Sequence, residues 1–164
     1  MQHTSTAAVA SRRPCLIFST GTLTIDASTN LFHGGPSPDD RPLIGAMELA
    51  KYGEWENYGV KNVTVWGKTF DVAVRYCNKK LAMIDFVWVD GVAKKTDWSA
   101  TEDDLVKERK TLSKMIVSEA QQPCVSSTIG ADTFVFNWVT HTVRADLRSM
   151  VVTTSVAYTD SKEE

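Results

Sequence analysis

The sequence has few of the features that mark the common functional classes. Its 164 residues include three cysteines, Cys15, Cys77 and Cys124, and no Cys-x-x-Cys pair. This number and spacing argue against a disulfide framework or a zinc knuckle and favour a reducing compartment. No apolar run approaches the roughly 18 residues of a membrane-spanning helix, and positions 1–10 lack the apolar stretch of a signal peptide. We therefore expect a cytoplasmic protein without a membrane contact.

The chain also lacks a strong charge of either sign. Eighteen lysines and arginines stand against 20 aspartates and glutamates, so the net charge is −2. Affinity for nucleic acid comes mainly from neutralising phosphates, and affinity for an anionic membrane comes from basic clusters. The charge balance therefore argues against both kinds of partner.

The sequence motifs of nucleophilic, phosphate-binding and zinc-dependent enzymes are missing as well. There is no Gly-x-Ser-x-Gly, His-Glu-x-x-His, Gly-x-x-x-x-Gly-Lys-[Ser/Thr] or Gly-x-Gly-x-x-Gly. We predict no metal and no cofactor. The residues that remain for a minor enzymatic activity are Asp85, His141 and Cys77.

The strongest positive signal is a central β-hairpin. Residues 69–77 and 81–89 are rich in β-branched and aromatic residues and flank the polar turn Asn78-Lys79-Lys80. Residues 60–66 form a strand before it, which predicts a three-stranded antiparallel meander. Other strands are predicted at both ends of the chain, over residues 15–18, 22–25, 134–143 and 150–158.

Two helices are expected to cover this sheet. Residues 42–52 follow an aspartate pair and carry a proline in the first turn, both common at helix starts. Residues 99–121 begin with Ser99 and Glu102 spaced as a capping box. The core-facing stripe of this second helix is predicted to be Leu105, Leu112, Met115 and Ile116. Its solvent-facing residues are predicted to be Lys107, Glu108, Arg109 and Lys110.

These elements predict one α+β domain over residues 14–160. An antiparallel sheet of about five or six strands is packed on one face by helices 42–52 and 99–121. Residues 1–13 are predicted to be a disordered tail, and residues 161–164 an acidic tail.

The candidate site residues fall into two groups. The first is an acidic and aromatic surface that we predict to bind a partner protein, because aromatic residues on turns are enriched in interfaces: Glu54, Trp55, Glu56, Tyr58 and Trp66. The second consists of Asp85 and His141, which lie within apolar strands as candidate buried polar groups. With a turn at Asn78-Lys79, Asp85 is expected opposite Val72, without Arg75 as a neighbour on the same face.

The last hairpin resembles a family of small bacterial α+β proteins that have no assigned activity. The matching features are Trp138, the Asp146-Leu147-Arg148 turn and the apolar strand that ends at Tyr158, although Val139 stands where the family has glycine. The likeness covers about residues 60–158, and some similar small proteins act as immunity factors or inhibitors. Within this turn, Asp146 is expected to accept bonds from nearby backbone amides and to pair with Arg148, which is a structural role.

We predict a non-enzymatic binding protein with a protein partner, for example an immunity or inhibitor protein. A small-molecule-binding domain with a pocket between sheet and helices is the first alternative. A minor enzyme is the second. The sequence does not determine the oligomeric state.

Overall fold

The structure is a computed structural model that describes residues 15–17, 22–24, 30–32, 34–39, 43, 45–91, 99–128, 130–136, 139–146 and 148–158. Both predicted tails, together with Trp98 and Trp138, lie outside these residues. The elements are β1 Cys15–Ile17, β2 Thr22–Thr24, β3 Asn30–Leu31, β4 Ala46–Tyr52, β5 Trp55–Val65, β6 Lys68–Cys77, β7 Lys80–Trp88, α1 Glu102–Ala120, β8 Ser126–Ser127, β9 Ala131–Val135, β10 Val139–Asp146 and β11 Val151–Tyr158.

An eight-stranded antiparallel sheet dominates the fold. Its strand order is β4-β5-β6-β7-β11-β10-β9-β8, so two meanders meet where β7 pairs with β11. A second sheet, β1-β2-β3, contacts β5 through β1, and α1 packs on β10 and β11. The α+β class with an antiparallel sheet is confirmed. The prediction of five or six strands and two helices is wrong in detail, because the described residues contain one helix and an eight-stranded main sheet.

The main sheet has two distinct faces. One cross-strand row on the inner face, which carries the core, reads Glu48, Tyr58, Val74, Ile84, Val156, His141 and Phe134. The parallel row on the outer face reads Met47, Gly59, Ala73, Asp85, Ser155, Thr142, Thr133 and Ser126. The first row is apolar except at His141 and at its edge, and the second is largely polar, as expected of a sheet covered on one side.

The predicted helix over residues 42–52 is wrong. Ala46–Tyr52 is a strand that pairs with β5 across a tight turn at Gly53 and Glu54. Gly53 has a φ of 58°, a conformation that glycine adopts at little cost. The Ala-Met-Glu-Leu-Ala-Lys sequence favours a helix locally, but pairing with the long neighbouring strand overrides this weak preference.

The structure contains most of the other strands that the sequence predicts. The central hairpin is confirmed, and Asn78 and Lys79 both have positive φ, as in a type I′ turn. The strands predicted over residues 15–18 and 22–25 correspond to β1 and β2, which pair antiparallel. Residues 134–143 do not form one strand, because the chain reverses between β9 and β10.

Helix α1 begins later than predicted and buries more than its apolar stripe. Its N-cap is Thr101, which forms the capping box with Asp104 in place of Ser99 and Glu102. The prediction that Glu108 and Arg109 face solvent is wrong, because they are 2% and 7% exposed. The helix packs against the inner face with three fully buried apolar side chains, Leu105, Leu112 and Ile116.

Candidate functional site

The predicted partner-binding residues do not form one exposed surface. Glu54 lies in the β4–β5 turn and is exposed, and Trp55 is half-buried at the start of β5. Glu56 and Tyr58 are each only 6% exposed, because alternate residues of β5 point to the inner face. Trp66 is half-buried and packs on the core. The surface prediction is therefore wrong for Glu56 and Tyr58, which lie in a strand rather than a loop.

Glu56 instead anchors a polar cluster beside the β6–β7 turn. Tyr58 donates a hydrogen bond from its hydroxyl to Glu56 Oε1 at 2.9 Å, and Lys79 Nζ lies 3.1 Å from Glu56 Oε2. Lys79 also forms an ion pair with Asp39. The ring of Tyr58 meets Tyr76 edge to face, with centroids 5.9 Å apart. The cluster joins the 34–39 segment, β5 and the β6–β7 turn.

The pKa values of Tyr58 and Lys79 determine the charge of this cluster at neutral pH. Burial, together with the bond to Glu56, raises the pKa of Tyr58 to about 12. The hydrogen bonds to Asp39 and Glu56 raise the pKa of Lys79. The phenol therefore stays neutral and the ammonium stays charged, so neither is activated as a base or nucleophile.

Asp85 is fixed by two donors on the outer face. Arg75 Nε donates to its Oδ2 at 2.7 Å, and Ser155 Oγ donates to its Oδ1 at 2.6 Å. The expectation that Asp85 lies opposite Val72 is wrong. A bulge between Arg75 and Tyr76 shifts the register, so Asp85 pairs with Ala73 and reaches Arg75 diagonally. The side chain of Asp85 is 14% exposed, and its carboxylate has a structural role in these contacts.

His141 is buried on the opposite face. Its ring meets Phe134 at a centroid distance of 6.4 Å, and it lines a small cavity with Trp66, Met115 and Thr154. Burial lowers the pKa of His141 to about 3, so the imidazole is neutral at physiological pH. The cavity has room for about one water molecule.

The residues considered for a minor enzyme are not brought together. His141 pairs with Val156 on the inner face, whereas Asp85 pairs with the next residue of β11, Ser155, on the outer face. Burial and nearby Glu54 raise the pKa of the Cys77 thiol, which keeps it protonated. No Asp85–His141 or Cys77–His141 pair forms across the sheet.

A buried ionic cluster joins α1 to the β8–β9 edge. Arg109 Nη1 lies 2.7 Å from Asp132 Oδ1, and Asp132 accepts hydrogen bonds from Ser113 and Ser127 at 2.6 and 2.5 Å. Burial opposes ionisation of Asp132, yet these bonds and the arginine charge hold its pKa below the usual value. Helical spacing contained the signal, because Arg109 lies four residues after Leu105, within the apolar stripe.

The turn of the last hairpin contains the backbone hydrogen bonds expected of Asp146, while pairing with the Arg148 side chain stays a prediction. Its Oδ1 accepts hydrogen bonds from the backbone amides of Arg148 and Ser149 at 2.9 and 3.4 Å. A hydrogen bond from the Ser149 side chain, together with these two backbone bonds, holds the pKa of Asp146 below its usual value. The residue is thereby used to shape the turn.

The most distinctive surface is the edge strand β4, which the sequence analysis did not identify. Met47, Leu49 and Tyr52 are 58%, 55% and 57% exposed. Among the described residues, β4 pairs with β5 along one side and with no strand along the other. We call Met47, Leu49 and Tyr52 the edge patch. The sequence did not predict this exposed edge, because a helix over residues 42–52 would place Met47 on the face toward the core.

No protein-family model, curated protein or solved structure matches this chain. The described part of the chain has no helix with the length and apolarity needed to cross a membrane. Within that same part, no three His, Cys, Asp or Glu side chains are grouped as metal ligands.

Proposed function

We propose that the protein is a binding protein that takes up an extended segment of a partner protein along the edge of β4 that pairs with no strand among the described residues. The observation that carries the proposal is the edge patch, three large apolar side chains more than half exposed on one edge strand. An immunity or inhibitor role is one form of this proposal, and it stays a prediction.

The backbone of β4 supports this mode of binding. An edge strand presents unpaired amide and carbonyl groups, and an added strand satisfies them while its side chains contact alternate residues of the edge. Charged residues often protect such an edge from unspecific pairing. Lys51 and Glu48 lie on the same strand as the edge patch, so pairing at this edge requires a segment of complementary charge.

The polar clusters support binding over catalysis. Asp85 is held by Arg75 and Ser155, and Glu56 by Tyr58 and Lys79. These contacts tie neighbouring segments together and occupy the oxygens of both carboxylates. A small-molecule function has weaker support at the inner face, since the cavity beside His141 has room for about one water molecule.

The proposal is tested by site-specific photo-crosslinking in a lysate of the source cells. A photoreactive residue at Met47 is expected to capture a protein, and the same residue at Val125, an exposed aliphatic position near β8 at the opposite edge, is not. Leu49→Lys is expected to abolish capture at position 47. Equal capture from both positions, or capture that persists in Leu49→Lys, contradicts the proposal.

A further inference from the structure

A β-bulge divides β4 into two halves whose side chains alternate out of step. Glu48 pairs with Tyr58 and Ala50 with Asn57, so two residues of β4 are taken up against one step of β5. As a result the side chains of Met47 and Tyr52 both lie on the outer face of the sheet. In a regular strand, two residues five positions apart would lie on opposite faces.

The same bulge places the two charged residues of β4 on the inner face. Glu48 and Lys51 pair with Tyr58 and Glu56, both inner-face residues. Lys51 Nζ lies 3.8 Å from Glu48 Oε1, which agrees with a shared face. In a regular strand, residues 48 and 51 would point to opposite faces.

Leu49 completes the apolar side of the strand. Its Cδ atoms lie 3.4 Å from the position that a Cβ on Gly59 would occupy, so the leucine covers the bare backbone of this glycine. Gly59 pairs with Met47 on the outer face. The edge patch is therefore continuous along the outer side of β4.

We infer that the segment bound at this edge is β4 of a second copy of the chain, paired antiparallel about a two-fold axis that passes between Leu49 and Ala50. This inference rests on the proposed function and names its partner. A two-fold axis perpendicular to a sheet keeps each residue on its own face, so only residues of the same face can stand opposite each other. The bulge makes one such register complementary.

In that register each contact occurs twice. Met47 stands opposite Tyr52 of the second copy on the outer face, and Glu48 stands opposite Lys51 of the second copy on the inner face. The two Leu49 side chains meet near the axis. Six exposed apolar side chains are then covered, and two intermolecular ion pairs form, as an isologous interface requires. Two eight-stranded sheets become one continuous sheet.

Charge reversal tests the register. Glu48→Lys places two lysines opposite two lysines, and Lys51→Glu places glutamates opposite glutamates. Each is expected to weaken dimerisation about tenfold or more in a sedimentation-equilibrium series, because like charges directly opposite one another are destabilising. The double variant Glu48→Lys with Lys51→Glu restores opposite charges across the axis. It is expected to recover most of the dimerisation that each single variant loses, although Asp39 and Glu56 beside position 51 disfavour a glutamate there. Glu54→Lys, a reversal in the adjacent turn, is the control and is expected to leave the dimer unchanged.

Cysteine pairing tests the same register independently. The variant with both Met47→Cys and Tyr52→Cys is expected to form a disulfide-linked dimer on mild oxidation, whereas each single variant is not. A disulfide-linked dimer from either single variant, or none from the double variant, would show a different register and overturn the inference.

The outcomes separate this inference from the proposed function. A wild type that stays monomeric across the concentration series, or a double charge variant that fails to restore the dimer, overturns the inference. If a monomeric wild type still captures another protein from position 47, the proposed function stands with a different partner. If neither self-association nor capture occurs, both fail.

Discussion

Acid should destabilise the fold through His141, before most carboxylates titrate. The unfolded chain binds a proton at this residue with a pKa near 6.5, whereas the buried imidazole binds it with a pKa of about 3. The folded state therefore takes up fewer protons, and its stability falls as the pH drops below 6.5. The folded state keeps its full stability above the unfolded pKa of 6.5. The loss of stability reaches its limit only when the pH falls below the folded pKa of about 3.

The magnitude follows from the two pKa values. Linkage gives a loss of about 2 kcal/mol at pH 5 relative to neutral pH, and about 3 kcal/mol at pH 4. Asp39, Asp132 and Asp146 have pKa values below the usual one, so their contribution is lost at still lower pH. The interval between pH 6.5 and pH 5 thus isolates the histidine among these groups.

Urea unfolding of the wild type and of His141→Leu at pH 7 and pH 5 measures this effect. The wild type is expected to lose about 2 kcal/mol between the two conditions, and the variant is expected to lose much less, whatever its stability at pH 7. An equal pH dependence in both proteins would refute the assignment of the acid sensitivity to the buried imidazole.

Three further substitutions test the described contacts by their effect on the free energy of unfolding. Asp132→Asn is expected to cost about 3 to 5 kcal/mol, because it leaves the guanidinium of Arg109 buried without its counter-charge; if urea unfolding gives under about 1 kcal/mol, the cluster is not a buried ion pair. Gly91→Ala is expected to cost about 1 to 3 kcal/mol, because its Cβ would lie 2.5 Å from the buried carboxylate of Glu108, and a neutral result in thermal unfolding would contradict this packing. Thr101→Ala is expected to lower the free energy of unfolding by about 1 kcal/mol, because the N-cap hydrogen bond is lost. Thr101→Ser keeps a capping hydroxyl and is expected to lose much less, so equal losses in the two variants would argue against the cap.

The sequence predicted those parts of the fold in which local and long-range preferences agree. The central hairpin and helix α1 combine strong periodicity with suitable turn and capping residues, so both were found, although the cap is Thr101 rather than Ser99. The strand β4 could not be predicted in this way, because Ala46–Tyr52 favours a helix locally and becomes a strand only by pairing with β5.

The site was harder to predict for a related reason. Asp85 reaches Arg75 only through a bulge, and such a one-residue register shift leaves no clear mark in the sequence. Arg109 and Asp132 are far apart in the chain and meet only in the folded protein. The edge patch depends on which strand ends the sheet, and that is decided by the whole topology rather than by the residues of β4.

Hydrogen–deuterium exchange followed by mass spectrometry reports on strand pairing at the edge of β4 itself. We expect the amides within Ala46–Tyr52 to exchange fast in dilute solution and to become protected as the protein concentration rises, while those of Ser126–Ser127 at the opposite edge do not change. If exchange in Ala46–Tyr52 changes neither with protein concentration nor on addition of a partner captured at position 47, the claim that this edge binds a strand is contradicted.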